Sequence, residues 1–352
     1  MKKTLVALAI ASISTSAFAV NTSSQNSQNE DMFAFDSMHK DQFSVSGSFG
    51  VGGYYDTGSK AFYDDWATGL TLAVNYRNNR IVGYFETDLM VNYTTDNNVS
   101  SNDAVTAGWT NGIDTGPAAD VDKAWLGFDT GFGIASFGWE NDTALDKVDS
   151  AGDNTYEFGA SAGDASDGFN VVKFQGATSG IAYGISYFET KDSRNSTDSK
   201  GKKNFDKGVN GYIGLEQEVF NLYAGYENRD YEADFEVYTV TGNVKVGALK
   251  LGMNSWIEES DSAKNTGYYV SGGYTVSEDL TIAAGYASSN NELDGQSDID
   301  ASYINIAAMY RISDNADMGI DIKQDIDGGR IGSTSMQYDE ETHVFAAAYY
   351  YF

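Results

Sequence analysis

From Phe43 to the last residue, apolar and polar side chains alternate with a period of two. Between Ile81 and Tyr93 the row Ile81, Gly83, Phe85, Thr87, Leu89, Val91 and Tyr93 interleaves with Val82, Tyr84, Glu86, Asp88, Met90 and Asn92. Successive side chains of a strand point to opposite faces, so this stretch predicts a strand with one apolar and one more polar face. Leu249, Leu251, Met253 and Ile257 likewise oppose Lys250, Asn254 and Glu258; Ile304, Ile306, Ala308, Tyr310 and Ile312 oppose Asn305 and Arg311; Met318, Ile320 and Ile322 oppose Asp321, Lys323 and Asp325. Tight turns are expected at Asn78-Asn79, 131–133, Ser179-Gly180, Phe220-Asn221, 277–279 and Asp314-Asn315. Long polar connections are expected at 95–119, 141–168, 191–207, 288–299 and 327–339. Turns on one side and long loops on the other, over about sixteen strands, predict an all-β fold: a transmembrane up-and-down antiparallel β-barrel. A soluble sandwich also alternates, but it does not run so many hairpins in series. An edge left open in lipid would have unpaired N–H and C=O groups costing several kcal/mol each, so the barrel must close.

Composition narrows this further. The chain has one proline, Pro117, with 38 glycines, 24 tyrosines and no cysteine, and its mean hydropathy is negative. After the leader no stretch approaches the ~18 apolar residues of a spanning helix, so any crossing of a bilayer is by strands. Lys2 and Lys3, the apolar run Leu5 to Ile13, and Ala17-Phe18-Ala19 read as a signal peptide over 1–19. Residues 20–42 read as a flexible N-terminal arm carrying Met32, Phe33, Phe35 and His39, with the outer-membrane barrel over 43–352. The 22 Lys and Arg against 51 Asp and Glu give a formal net charge of −29. That balance excludes nucleic acid as a partner, because binding it requires a basic surface. His39 and His343 are the only histidines, and no nucleophile motif accompanies either, so the chain does not read as an enzyme. No cofactor is expected, and no spaced calcium loop is present.

One stretch breaks the alternation. Trp139 to Gly159, WENDTALDKVDSAGDNTYEFG, carries Glu140, Asp142, Asp146, Asp149, Asp153 and Glu157 against one base, Lys147. An irregular insertion of this length in a compact fold is usually functional or disordered. Carboxylates around a water-filled constriction concentrate cations and repel anions. Asp142, Asp146 and Glu157 are expected to line such a gap. The alternation points Glu86, Asp88 and Asp122 into the lumen, with Arg77, Lys173, Lys250, Arg311 and Lys323 as scattered wall bases. Tyr54, Trp66, Trp125, Tyr183, Tyr226, Trp256, Tyr274 and Tyr350 are expected to supply interfacial girdles, with lumen packing as the alternative for some.

Three places carry a family resemblance. The end HVFAAAYYYF puts Val344, Ala346, Ala348, Tyr350 and Phe352 on one face, and resembles the terminal-strand signal read by the barrel assembly machinery, with Tyr350 and Phe352 as its residues. The segment Asp122 to Leu145 resembles the fourth and fifth strands and the start of the third loop of Gram-negative general diffusion porins, most of all those of the Vibrio type. Glu157 to Gly159 resembles the far end of that loop, without its proline and one glycine. The resemblance implies a homotrimer in the outer membrane, among its lipids and lipopolysaccharide. Each barrel would fold its third loop, about residues 140–159, into the channel, and its second loop, 95–119, would latch a neighbour. It also implies arginines on the wall facing the loop, where this sequence has Ser48, Thr71 or Gly69, and Asp122; Glu140 stands where the Vibrio-type pattern has lysine. The function implied is passive diffusion of small hydrophilic solutes and ions, with cations preferred. A substrate-specific channel, for example for sugars, is the second reading, and an adhesin or barrel enzyme the third.

Overall fold

The computed structural model describes residues 41–96, 113, 115–140, 142–149, 151–162, 168–190, 206–230, 234–332 and 340–352. The expected signal peptide, nearly all of the arm and most of 95–119 lie outside the described residues.

The alternating segments form β1 (Gln42–Asp56), β2 (Ala61–Asp64), β3 (Gly69–Asn78), β4 (Ile81–Thr94), β5 (Gly116–Asp129) and β6 (Ile134–Glu140). Then come β7 (Gly168–Thr178), β8 (Ile181–Thr190), β9 (Asp206–Glu216), β10 (Phe220–Asp230), β11 (Asp234–Val246) and β12 (Leu249–Ser260). The chain ends with β13 (Ala263–Thr275), β14 (Leu280–Leu293), β15 (Ile299–Ser313), β16 (Ala316–Asp327) and β17 (Thr342–Tyr351). A four-residue helix, α1 (Asp146–Asp149), lies between β6 and β7.

β2 and β3 are one wall strand in two pieces. β1 pairs with β2 through Tyr54↔Tyr63 and with β3 through Gly50↔Gly69. Across the interruption the Asp64 carboxylate accepts the N–H groups of Trp66 (3.2 Å), Ala67 (2.8 Å) and Thr68 (2.7 Å). The backbone groups that left the ladder are thereby satisfied by a side chain. The wall is thus a closed antiparallel barrel of 16 strands. It is sealed where β17 pairs with β1 from Ser48↔Tyr351 to Asp56↔His343. Gly47 and Phe352 exchange both of their backbone hydrogen bonds at 3.1 Å, so the ladder runs to the last residue.

The two faces are inverted relative to a soluble protein. Val51, Ile185, Ile213, Val240 and Ile306 point outward and are largely exposed, while Glu86, Asn210, Glu227, Asn254 and Asp321 are buried inside. Among the described residues no helix is long and apolar enough to cross a membrane. The outward apolar band is instead what lipid requires of a strand-built span.

Several expected boundaries move. The turn placed at Phe220-Asn221 lies at 217–219, and Asn221 pairs with Glu216 in the ladder. The connection read over 288–299 shrinks to 294–298, because Ser288 to Asn291 pair with Ile299 to Ser302. These polar residues lie at the long-loop ends of β14 and β15, where the outward face of a barrel need not be apolar. A tight turn at Gly247-Ala248, with Gly247 at φ 62°, joins β11 to β12. Of the expected girdle, Tyr226, Tyr274 and Tyr350 face outward and are exposed. Tyr183 shares the outward face of exposed Ile181 and Ile185. Tyr54 and Trp256 are buried inside, and Trp66 and Trp125 also point inward, Trp125 stacking on Tyr84 at 5.9 Å.

Ile306, 59% exposed at the middle of β15, tests the orientation of the wall. Ile306→Arg is expected to destabilise the barrel by ~2–4 kcal/mol in a bilayer, as charge at the midplane of a lipid face does. Reversible denaturant unfolding from lipid vesicles measures it, and a neutral result would place this face away from lipid.

Candidate functional site

The segment between β6 and β7 crosses the barrel interior. Ala144 N–H donates to Ser186 Oγ of β8 (3.0 Å). Asn210 of β9 donates to Thr143 Oγ1 (2.5 Å), and Asn243 of β11 to the carbonyl of Ala151 (2.8 Å). Asn254 of β12 accepts from Gly152 N–H (2.8 Å) and donates to the carbonyls of Asp149 (3.0 Å) and Ala160 (2.8 Å). Ser271 of β13 donates to the Gly152 carbonyl (2.8 Å), and Tyr303 of β15 to that of Phe158 (2.8 Å). The loop therefore follows the inner wall from β8 round to β16, β17 and β1. Its apolar residues Ala144, Leu145 and Val148 are completely buried against that wall. Glycines let it come close: a Cβ on Gly225 would lie 2.3 Å from Leu145, and one on Gly319 2.6 Å from the Tyr156 ring.

Two β-bulges shape the root of the loop. Opposite β4, the register shifts between Glu86 and Thr87, so Asp122 is an extra residue in β5. Asp122 and Lys123 both become buried on the lumen side as a result. A second shift, between Gly138 and Glu140, leaves the extra residue in β7, while Glu140 follows Ser136 and Gly138 into the lumen by plain alternation. Bulges re-aim side chains, as the first does here, at functional sites. Lys123 Nζ then reaches Asp142 (2.5 Å) and Glu86 (3.8 Å). Lys173 Nζ pairs with Glu140 and also donates to the Asp142 carbonyl (3.3 Å). Strict alternation across the bulge hides Lys123, and only the adjacent Asp-Lys pair in the sequence signals it.

The far end is held by one carboxylate. Asp321 Oδ2 of β16 accepts three consecutive N–H groups, from Tyr156 (3.2 Å), Glu157 (2.9 Å) and Phe158 (3.1 Å). Tyr54 OH donates to Glu157 Oε1. Lys323 Nζ lies 5.5 Å from the Phe158 ring centre and 5.2 Å from that of Tyr303.

The acids expected to line the gap divide into two groups. Asp146 and Glu157 are 8% and 7% exposed and Glu140 only 1%, so they are anchors rather than an open lining. Asp149 and Asp153 are half-buried, and Asp142 keeps partial exposure beside Lys123. Burial holds the Asp153 carboxyl above the usual range, against the hydrogen bonds it accepts from Thr155. Lys147 turns to the wall, 3.3 Å from Glu216. Of the wall bases, Arg77 and Arg311 sit beside the tight turns, paired with Asp129 (2.8 Å) and Asp279 (3.2 Å). Lys250 is exposed near the same end.

The loop meets β1 through Tyr54 and β5 through Lys123, and the arc of wall between those two contacts includes β3 and β4. A recess in that arc is lined by Ser48, Trp66, Thr71, Asp88, Met90 and Tyr349. Thr71 donates to Asp88 at 2.5 Å. Of the places where the resemblance implied arginines, Ser48 and Thr71 or Gly69 line this recess, and Asp122 is buried at the root of the loop. A second inward segment escaped the sequence reading. At the head of the connection after β16, Arg330 pairs with Glu258 (2.6 Å) and Ile331 is fully buried. A lone isoleucine in a polar loop is its one sequence signal.

Comparison with known proteins bears on this geometry. A family model described as Gram-negative porin matches residues 4–329. No curated protein sequence matched. Among solved structures, the chain is similar to the trimer form of OmpT of Vibrio cholerae, at 15% identity and TM-score 0.63 over 89% of this chain and 99% of that one. It is similar to an anion-selective porin from Comamonas acidovorans, at 12% identity and TM-score 0.60 over 89% and 100%. It is also similar to Salmonella typhi OmpF in complex with daunomycin, at 15% and 0.63 over 88% and 97%. At these identities the solved structures attest the fold.

Asp321→Ala removes the shared acceptor of three backbone donors. Each buried donor left unsatisfied costs ~1–3 kcal/mol, so the far end of the loop is expected to detach while the wall persists. Single-channel recordings should show larger current fluctuations and a higher mean conductance, and an unaltered trace would mean that the other anchors suffice.

Proposed function

The chain belongs to the Gram-negative porins, outer-membrane channels for passive diffusion, and on that premise we propose that this one prefers cations. The observation that carries the proposal is that both sides of the gap are acidic. Asp88 stands on the wall, and Asp142 and Asp149 keep partial exposure on the loop. The base closest to them, Lys123, is already paired with Asp142 and Glu86. Low-dielectric walls focus the field of such carboxylates into the water between them, raising local cation concentration. Solutes are sorted by size and charge, with no covalent step and no coupled energy source.

The partners follow the same premise. The chain works as a homotrimer, in keeping with the trimer form of the similar OmpT structure, surrounded by outer-membrane lipid and lipopolysaccharide. Tyr350 and Phe352, exposed on the outer face at 52% and 44%, serve as the signal for the barrel assembly machinery. Selectivity for flat, hydroxylated solutes such as sugars is the second reading, and one feature favours it. Trp66 stacks on Phe345 (5.5 Å) and on Tyr349 (6.4 Å), and Tyr349 on Tyr351 (6.3 Å), forming an aromatic column on the inner wall. Saturation of ion current by one sugar would favour that reading over the general one.

The charge claim is tested by the zero-current potential across a salt gradient in a planar bilayer. The wild type is expected to pass cations in preference to anions. Asp142→Asn leaves Lys123 less compensated and should move the potential toward anions, whereas Lys123→Gln frees Asp142 and should move it further toward cations. Shifts of the same sign in both variants would remove the proposed basis of selectivity.

A further inference from the structure

His343 is buried at the seam where the barrel closes, 3% exposed, with a carboxylate at each ring nitrogen. Nδ1 lies 2.6 Å from Asp56 Oδ2, and Nε2 lies 2.9 Å from Asp325 Oδ2. Asp56 ends the first strand, and its other oxygen is engaged by the Ser59 N–H at 2.7 Å. The carboxylate of Glu341, one residue before β17, approaches from the mouth of the barrel. One oxygen each of Asp56 and Glu341 and one nitrogen of His343 lie within 4.8 Å of one another.

A neutral imidazole has one N–H, so it can donate to only one of its two carboxylates. When Nε2–H donates to Asp325, the Nδ1 lone pair faces the Asp56 oxygen, and something positive must stand between them. A second proton would do this, but it leaves the cluster short of one positive charge. Asp56, Asp325 and Glu341 carry three negative charges, and Lys323, 3.2 Å from Asp325, supplies one positive charge. A divalent ion in place of the second proton makes the group neutral, which is what burial favours.

We propose that Asp56, Glu341 and His343 bind a divalent transition-metal ion of the zinc class, which staples the first strand to the last. Nitrogen and carboxylate oxygen are zinc's usual donors, and water takes the fourth position of the tetrahedron. Asp325 acts on the ligand rather than on the ion. By accepting from Nε2 it fixes the tautomer and aims Nδ1 at the site, as carboxylates behind metal-bound histidines do. Bond lengths of ~2.0–2.2 Å require the Nδ1 and Asp56 oxygen to part slightly and the Glu341 carboxylate to close in. Glu341 is half-exposed and outside the strand, so it is free to make that movement. The ion also links the two strands at their long-loop end, while the backbone exchange of Gly47 with Phe352 holds the opposite end.

The test uses the untagged full-length protein, folded in detergent and stripped of metal by dialysis against a chelator. Titration with ZnCl2 in a calorimeter should give one saturable site per chain. Affinity should fall by about tenfold or more in His343→Gln and in Asp56→Asn, the loss typical of an impaired metal site. It should be unchanged in Asp279→Asn, which removes an exposed carboxylate at the other end of the barrel. Zinc binding that survives both substitutions, or a wild type without a saturable site, overturns the proposal. Should those variants fail to fold, the electronic absorption of Co²⁺ added to the wild type decides. A tetrahedral spectrum displaced by zinc supports the site, and an octahedral, aqua-like spectrum refutes it.

Discussion

The structure depends on one constraint, that no backbone N–H or C=O may stay unpaired in lipid. A helix meets it within itself, but this chain has no helix long enough to do so among its described residues, and the strands must meet it between neighbours. Pairing of β17 with β1 is therefore not one contact among many. Without it two strand edges would face hydrocarbon, and the cost of each unpaired group would exceed what any side chain on this wall could return. Closure in turn fixes which face of every strand meets lipid, because the side-chain period is two and a slip by one residue would exchange the faces. The outward apolar rows and the buried inward Asn, Glu and Asp residues follow from that single requirement.

Closure also creates the environment in which the loop after β6 can exist. Outside the barrel a polar segment of this kind would be solvated on all sides. Inside, its backbone groups face a wall of polar side chains, and Ser186, Asn243, Asn254, Ser271, Tyr303 and Asp321 take them one by one. The polar inner face that looks wasteful in a single strand is thus the docking surface for the loop. Its apolar residues find their own partners where wall glycines leave room, as at Gly225 and Gly319. The same logic brings in Arg330 and Ile331, whose ion pair and buried side chain match polar and apolar parts of the interior.

Much of this was legible in the sequence, and the failures have physical causes. Alternation with turns on one side and loops on the other sufficed for the barrel, and the break at Trp139 to Gly159 sufficed to find the loop. Periodicity failed where the chain departs from period two. The bulge at Asp122 turns Lys123 inward, where counting by twos from Asp122 gives it no place among the lumen residues. Polarity misled at Ser288 to Asn291, which looks like loop but continues the ladder with Ile299 to Ser302. Aromatic identity misled too, since a tyrosine or tryptophan suits both an interface and a packed lumen. Tyr54 and Trp256 proved to be of the second kind. Partners across strands distant in sequence, such as Asp321 with the loop backbone, have no local signature.

What a static count of loop acids misses is that charge and field are different quantities. Glu140 is neutralised by Lys173, and Asp142 shares Lys123 with Glu86. Paired charges produce a field that falls off as a dipole's does, so they contribute little in the centre of a gap. The field there comes from carboxylates without an adjacent base, with one face still in water. Asp88 meets that description on the wall, since its close partner is the Thr71 hydroxyl rather than a cation. A wall arginine in that position would set a transverse field across the channel, whereas the carboxylate of Asp88 gives that bank the same sign as the loop acids. On the proposed cation preference, ions crossing such a gap would be selected by sign without being drawn to one side. The buried acids Glu140 and Glu157 would then serve a separate purpose on that proposal, tying the loop to the wall through Lys173 and Tyr54.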